Sequence, residues 1–114
     1  MNRCEKTATD QITAAIRVPP DSPWFHGHFP GEPILPGIAQ LGMIFDAIQQ
    51  VSKQRVTVTR ISRVRFKRMV RPDELLSVVA TPMKEQTGSY SFRITNEKEL
   101  VCSGIMTLAS YPYG

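Results

Sequence analysis

The sequence has few cysteines and no long hydrophobic run. Its two cysteines, Cys4 and Cys102, lack the spacing of a metal site. We expect both to be reduced thiols, with Cys102 a small core residue. No hydrophobic run approaches the ~18 residues that span a bilayer, and no hydrophobic segment follows residues 1–6. These absences predict a cytoplasmic protein with no membrane span, no secretory signal, no metal and no cofactor.

The length of 114 residues fits one compact domain. We place its core at about residues 11–109 and expect residues 1–9 to be a loose tail. A chain of this size buries only roughly two thirds of its unfolded surface. The sequence therefore favours a homodimer or a higher homo-oligomer, in which a partner subunit covers further apolar area.

Positive charge is concentrated in one segment. The net charge is +4, and six basic residues crowd into residues 60–71: Arg60, Arg63, Arg65, Lys67, Arg68 and Arg71. Nucleic-acid modules interleave such patches with exposed aromatics or place them on a recognition helix. Here Phe66 is the only aromatic residue, and alternation puts it opposite Arg65 and Lys67. We therefore predict no nucleic-acid partner, and keep an acidic protein partner and a solvated strand face as alternatives.

The order of predicted elements indicates an α+β fold. Residues 11–18 are typical of a strand, and residues 19–36 hold six prolines, which exclude regular structure there. Apolar residues at spacings of three and four predict a helix over 37–52. Strands are predicted at 56–71, 75–83, 89–96 and 100–109. One helix would then lie against a mostly antiparallel sheet, and the long proline-rich loop is expected to be functional.

Residues 27–37, G-H-F-P-G-E-P-I-L-P-G, resemble the signature of the β-hydroxyacyl-acyl carrier protein dehydratases, the FabA/FabZ family. That signature reads G-H-F-P-G-x-P-x-x-P-G. Residues 64–75 are similar to the family's R-F-x-x-x-V-x-P-G-D-x-L block, although the glycine before the acidic residue is missing. Residues 36–41, P-G-I-A-Q-L, also resemble the P-G-V-x-Q-L of the ApeI-like branch, which is associated with aryl polyene pathways.

The resemblance implies a hotdog fold, in which a sheet wraps around one long central helix and two subunits pair. It implies a substrate as well: a 3-hydroxyacyl thioester on acyl carrier protein, dehydrated to the trans-2-enoyl product. Each active site would lie at the subunit interface, with a histidine from one chain and a helix carboxylate from the other. The matching positions assign the thioester carbonyl to Gly37 and place Phe29 and Pro36 among the substrate-binding residues.

The residues themselves can supply much of this chemistry. Dehydration needs a base for the C2 proton, an acid for the departing hydroxyl and donors for the thioester oxygen. His28 titrates near neutral pH and can exchange protons. Gly37 opens the helix, so its backbone N–H can point at an oxyanion. A histidine that merely hydrogen-bonds within its loop is the alternative for His28, and His26 is expected at the surface.

One position departs from the family pattern. The family's carboxylate falls fourteen residues after the motif histidine, where this chain has Gly42. Loss of such a group typically removes ~10²–10⁴-fold of rate. Asp46 is the best substitute, since it lies one turn later, ~6 Å along the helix axis, and would need a displaced substrate or a bridging water. The alternative is an Asp46 paired with a basic residue across the dimer.

Other candidate residues are less specific. Gln40 is expected either to donate a hydrogen bond into the site or to face the core or the dimer. Glu32 lies at a variable motif position and is a weaker acid candidate. Arg65 and Lys67 are expected to contact the acidic carrier protein.

Three functions remain open. The leading hypothesis is a dehydratase-like lyase. A non-catalytic acyl-binding or scaffold subunit paired with an active homologue is the second, and Gly42 is its best support. A hotdog thioesterase, with Asp46 activating water, is disfavoured because thioesterases generally lack the proline-rich loop.

Overall fold

A computed structural model describes residues 3–6, 10–25 and 35–110. Within these ranges the chain forms six strands, one short 3-10 turn at Pro23–Phe25 and one long helix. The helix is α1, Gly37–Val51, and the strands are β1 (Arg3–Lys6), β2 (Ile12–Arg17), β3 (Val56–Phe66), β4 (Leu75–Pro82), β5 (Ser89–Asn96) and β6 (Glu99–Ser110). The helix and the four strands that follow it begin within one residue of their predicted positions.

All six strands join one antiparallel sheet in the order β1-β2-β4-β5-β6-β3. The helix lies on one face of this sheet and contacts β1, β2, β3 and β4. Side chains alternate between the two faces of a strand, and every second residue of β4 (Leu76, Val78 and Ala80) is fully buried. Ile44, Ala47 and Ile48 of the helix join the same core. The α+β prediction is confirmed.

The prediction of a loose N-terminal tail is wrong for residues 3–6. These residues form β1, which pairs with β2 from Arg3 opposite Ala15 to Lys6 opposite Ile12. The Cys4 thiol also donates a hydrogen bond to the Ala47 carbonyl of the helix, at 3.3 Å. The polar composition of this segment does not predict a strand. The segment covers the otherwise open edge of β2 through backbone hydrogen bonds, which do not depend on the side chains.

Strand β3 is shorter than predicted, ending at Phe66 instead of residue 71. Bulges interrupt its pairing with β6 between Val58 and Arg60 and between Ser62 and Arg65. The Lys67 N–H still donates to the Val101 carbonyl of β6 at 2.7 Å. Further along, the Val70 carbonyl accepts a hydrogen bond from the Leu35 N–H at 2.8 Å. This contact ties the residues after β3 to the entry of the helix.

The turn before β4 forms without the family's glycine. Asp73 takes that position and adopts a left-handed backbone, with φ of 66°. Glu74 follows it and accepts hydrogen bonds from Arg68 (2.5 Å), from the Arg71 N–H (2.6 Å) and from Asn96 (3.0 Å). The Arg68 hydrogen bond is the main cause that lowers the pKa of Glu74. A carboxylate network therefore holds a turn that its backbone geometry alone would disfavour.

The prediction for Cys102 is confirmed. Its side chain is fully buried within the core formed by β5 and β6. Burial raises the pKa of this thiol to about 11, so it stays protonated and acts as a small apolar residue. Cys4 is half-buried, and both cysteines are free thiols.

Candidate active site

The start of the helix has backbone N–H groups that find no acceptor within the helix itself. Pro36 occupies the cap position with an extended backbone and provides no side-chain cap. The N–H groups of Ala39 and Gln40 both donate to the Pro36 carbonyl, at 3.1 and 3.3 Å. The N–H groups of Gly37 and Ile38 have no acceptor within the helix, since the first turn cannot supply one. This end of the helix can therefore receive an oxygen that carries negative charge.

An aromatic ring lies directly against Gly37. A β-carbon placed on Gly37 would come within 2.7 Å of the Phe66 Cζ and 3.0 Å of its Cε1. Phe66 is nonetheless half exposed, so its ring forms part of an open wall. Together they border a cavity of about 280 Å³, lined by Leu35, Pro36, Gly37, Gln40, Phe66, Arg68 and Met69.

Gln40 is buried beside this cavity, only 3% exposed. Its Nε2 donates to the Leu35 carbonyl at 3.4 Å. Its Oε1 is also buried and has no hydrogen-bond partner among the described residues. The side chain thus uses its donor inside the chain and leaves its acceptor unpaired.

Gly42 and Asp46 line a different cavity, of about 290 Å³. A β-carbon on Gly42 would meet nothing within 4 Å, and the Asp46 side chain is exposed. Cys4 of β1, Ile16 of β2 and Trp24 provide other parts of the wall. Among the lining residues that the structure describes, Asp46 is the only one with a carboxylate.

The two cavities lie on opposite sides of the helix. A helix turns about 100° per residue, so nine residues bring Asp46 about 180° away from Gly37. The separate linings agree with this geometry, since Gly37 and Gln40 border one cavity and Gly42 and Asp46 the other. Within one chain, the expected carbonyl site and the best acid candidate do not meet.

The basic segment is not a uniform patch. Arg65 and Lys67 are exposed at the edge of the sheet, where β3 has β6 as its one neighbour among the described strands. Arg68 is occupied, because it forms ion pairs with Glu74 at 2.5 Å and with Glu99 at 2.6 Å. Contact of Arg65 and Lys67 with a carrier protein stays a prediction, whereas Arg68 belongs to the network at the turn before β4.

Several predicted site residues lie outside the described residues. These are His28, Phe29 and the weaker acid candidate Glu32. His26, which is expected at the surface, also lies outside the described residues. Sequence reasoning missed Phe66 as a wall of the Gly37 cavity and Trp24 and Cys4 as walls of the Asp46 cavity. The Arg65-Phe66 pair of the family block was the available signal for Phe66, whereas nothing in the sequence pointed to Cys4.

Comparison with known proteins assigns the family. The family described as ApeI-like, ApeI dehydratase, matches residues 4–105, which is most of the chain. The protein belongs to the ApeI-like dehydratase family. This confirms the resemblance to the FabA/FabZ dehydratases and to their ApeI-like branch.

Relatives and solved structures agree with this assignment. A 3-hydroxyacyl-[acyl-carrier-protein] dehydratase FabZ of Caldicellulosiruptor saccharolyticus is 32% identical over 98 residues, covering 78% of this chain and 70% of that protein. The FabZ of Nitrosospira multiformis is 29% identical, covering 81% and 75%. The structure of the dehydratase heterocomplex ApeI:P from Xenorhabdus doucetiae matches with a TM-score of 0.82 and 23% identity, covering 94% of each chain. The ApeI-like family member therefore has the predicted hotdog fold.

The described residues hold neither a membrane-spanning helix nor a cluster of metal ligands. No helix there is long and apolar enough to cross a membrane. No group of three or more histidine, cysteine, aspartate or glutamate side chains in residues 3–6, 10–25 and 35–110 is arranged to hold a metal ion.

Proposed function

We propose that this ApeI-like protein removes water from 3-hydroxyacyl groups held on acyl carrier protein, giving the trans-2-enoyl thioester. The observation that supports this most directly is the cavity beside Gly42. Its wall combines apolar side chains with the Asp46 carboxylate, and Gly42 adds no side chain between them. A carboxylate thus remains about one helical turn from the position where the family expects one.

The reaction needs three groups. His28 takes the proton from C2 of the acyl chain, and the Gly37 N–H stabilises the oxygen of the thioester as it gains charge. The hydroxyl at C3 then leaves as water after receiving a proton from the Asp46 side chain in its carboxylic acid form, which regains a proton from solvent after each turnover. Because Asp46 lies ~6 Å beyond the family's position, we expect this proton to pass through a bridging water.

Two subunits would build each site. Gly37 and Asp46 lie on opposite faces of α1, so one chain cannot place both around the same thioester. A dimer removes this difficulty if the helix start of one protomer meets Asp46 of the partner subunit. The opposed cavities of the single chain support such an arrangement, which the family resemblance also implies.

The carrier protein would approach the edge of the sheet. Arg65 and Lys67 are exposed there, close in sequence to Phe66, which borders the Gly37 cavity. Carrier proteins of this type are expected to be acidic, and exposed basic groups steer such partners. The phosphopantetheine arm would then enter beside Phe66 to reach the helix start.

One experiment separates the candidate functions. The purified protein is incubated with a 3-hydroxyacyl-carrier substrate and the products are followed by mass spectrometry. Loss of water supports the dehydratase, release of free acid indicates a thioesterase, and unchanged bound substrate indicates a non-catalytic subunit. His28→Ala and Asp46→Asn should each abolish dehydration, whereas Gln86→Ala, exposed in the turn between β4 and β5, should retain it. Dehydration that survives both of the first two substitutions would contradict the residue assignment.

A second candidate is a non-catalytic acyl-binding subunit that pairs with another hotdog protein. Gly42 favours it, since the expected carboxylate is absent from this chain. The related ApeI:P structure is itself a heterocomplex. The test is to assay the chain alone and after mixing with an active homologue: activity that appears only in an isolated mixed complex would support this candidate over the homomeric enzyme.

A further inference from the structure

The orientation of the Gln40 carboxamide is fixed by its neighbours. Only the Nε2 end can donate, and it lies 3.4 Å from the Leu35 carbonyl. Exchanging the nitrogen and the oxygen would place two acceptors against each other. Oε1 therefore points away from Leu35, and it is buried without a hydrogen-bond partner among the described residues.

An unpaired buried acceptor is uncommon and calls for a physical explanation. Most buried polar side-chain atoms find at least one partner, and one left unpaired costs free energy. The helix could hold an apolar residue here at no such cost, as it does at Ala39, Ile44 and Ala47. A ligand that supplies the missing donor would explain the presence of the amide.

The position of Gln40 indicates which ligand this is. Side chains on a helix tilt towards its N-terminus, and the contact with Leu35 shows that the carboxamide lies back at the level of Gly37. The cavity is thus bordered by the backbone donors at the helix start and by the Gln40 side chain, whose oxygen is itself buried beside it. Its other walls include the apolar side chains of Leu35, Phe66 and Met69.

We propose that Oε1 of Gln40 accepts a hydrogen bond from the 3-hydroxyl of the acyl group whose carbonyl oxygen lies at the Gly37 N–H. The proposal rests on the proposed function for the identity of the substrate. It makes Gln40 a specificity-determining residue, which separates 3-hydroxyacyl groups from saturated ones. A neutral amide oxygen supplies no proton, so Gln40 orients the hydroxyl and takes no part in its departure.

Chemical complementarity favours a hydroxyl. A carboxamide oxygen can only accept, and a saturated acyl chain has no donor to offer it. Sites built to bind a hydroxyl group reject analogues that lack it, because their own polar atom is then left unpaired. The apolar walls around Gln40 strengthen this discrimination, since they admit little water to replace the missing donor.

The test measures binding without turnover. The ligands are stable pantetheine amides, in which NH replaces the thioester sulphur, with a 3-hydroxy, a 3-deoxy or a 3-fluoro acyl chain of one length. Calorimetry on the wild-type protein should show that the 3-hydroxy ligand binds roughly tenfold more tightly than the other two, as expected for one buried hydrogen bond. Fluorine matches the hydroxyl in size but cannot donate.

Variants then assign the effect to Gln40. Gln40→Met keeps a similar unbranched shape without the acceptor, and it should bind all three ligands with similar affinity. Gln86→Met, exposed in the turn between β4 and β5 and away from both cavities, should keep the wild-type preference. Circular dichroism shows whether each variant is folded. If Gln40→Met does not fold, the 3-fluoro ligand still tests on the wild-type protein whether tight binding needs a hydrogen-bond donor at C3.

Two outcomes would overturn the proposal. The first is a wild-type protein that binds the 3-hydroxy, 3-deoxy and 3-fluoro ligands equally. The second is a Gln40→Met variant that weakens all ligands by the same factor, which would assign the donor to a pantetheine amide N–H. A preference for the hydroxyl without any dehydration of the carrier substrate would instead contradict only the proposed enzyme activity.

Discussion

The ring of Phe66 occupies the space where Gly37 would have a side chain. A β-carbon there would lie 2.7 Å from the ring's Cζ, closer than a van der Waals contact allows. The contact joins the end of β3 to the start of α1, and it explains why a glycine opens the helix. It also brings an exposed aromatic ring to the backbone donors that we assign to the thioester carbonyl.

Gly37→Ala should therefore cost stability through Phe66. We expect a loss of about 1 kcal/mol in the free energy of unfolding, which is typical of overpacking at a site with some freedom to move. In a Phe66→Ala background the same substitution should be neutral or stabilising, because alanine favours the helix over glycine. Urea unfolding of the four proteins in a double-mutant cycle measures the coupling. Additive effects would show that the ring does not constrain Gly37.

Gly42 permits a gain-of-function test. Its β-carbon direction is open space, so a long side chain can be introduced without a clash. Gly42→Glu should raise the dehydration rate, because a direct donor replaces the water-bridged transfer from Asp46. In an Asp46→Asn background the gain should reach about 10²-fold or more, the usual contribution of a general acid. Gly42→Gln is the matched control, with the same size and no acid, and both variants should gain helix stability relative to glycine. Equal rates in the two variants, measured by enoyl product formation, would contradict the inferred location of the acid.

Glu74 should make stability depend on pH. Its pKa is lowered in the folded state, mainly by the hydrogen bond from Arg68. Its contribution is therefore fully present above the unfolded pKa of about 4.3 and is lost as the pH falls through the lower folded pKa. Glu74→Gln should cost about 1–2 kcal/mol at pH 7, and the difference from wild type should shrink below about pH 4. Urea unfolding at pH 7 and pH 3 tests this, with the exposed Glu85→Gln as control. A difference that stays constant with pH would exclude the charge of Glu74 as its source.

Substitutions of Asp73, at the position where the family has glycine, should change the stability of the fold. Its φ of 66° lies in the left-handed region, which costs a non-glycine residue roughly 1 kcal/mol. Asp73→Gly should recover part of that cost, offset by the greater backbone freedom of glycine in the unfolded chain. Asp73→Val should lose at least about 1 kcal/mol, since a β-branched residue tolerates this conformation poorly. Thermal unfolding of both variants gives the order of stability, and a valine variant as stable as the glycine one would contradict the strained turn.

Sequence reasoning succeeded where a pattern had a single physical meaning. The apolar spacing of residues 37–52 fits only a helix buried on one side, and α1 runs over Gly37–Val51. The dehydratase motif likewise led to the correct family. Strand β1 at residues 3–6 could not be predicted in this way, because pairing at a sheet edge uses backbone groups that every residue has. The Gly37–Phe66 contact was equally hidden, since no local pattern encodes which ring covers a glycine.

The candidate site was predicted in parts but not in its arrangement. Gly37, Gln40 and Asp46 were all named from the sequence, and a helical repeat of 3.6 residues already places Gly37 and Asp46 on opposite faces. The sequence does not show how deeply each side chain is buried. In the structure, the Gln40 oxygen is buried with no partner among the described residues, whereas Asp46 lines a separate cavity. Such differences depend on packing between distant segments.

The exposed basic side chains at the sheet edge should govern carrier binding. Reversing charge with Arg65→Glu and Lys67→Glu together should weaken binding of an acyl carrier protein about tenfold or more at low salt, because attraction to an acidic partner becomes repulsion. The difference should diminish near 1 M salt, where the Debye length falls to ~3 Å. Lys84→Glu, exposed in the turn between β4 and β5, is the matched control and should have a smaller effect. Surface plasmon resonance across a salt series measures the affinity for the carrier protein. Unchanged affinity of the double variant at low salt would exclude Arg65 and Lys67 from the surface that binds the carrier. That outcome would not affect the chemistry assigned to Gly37 and Asp46.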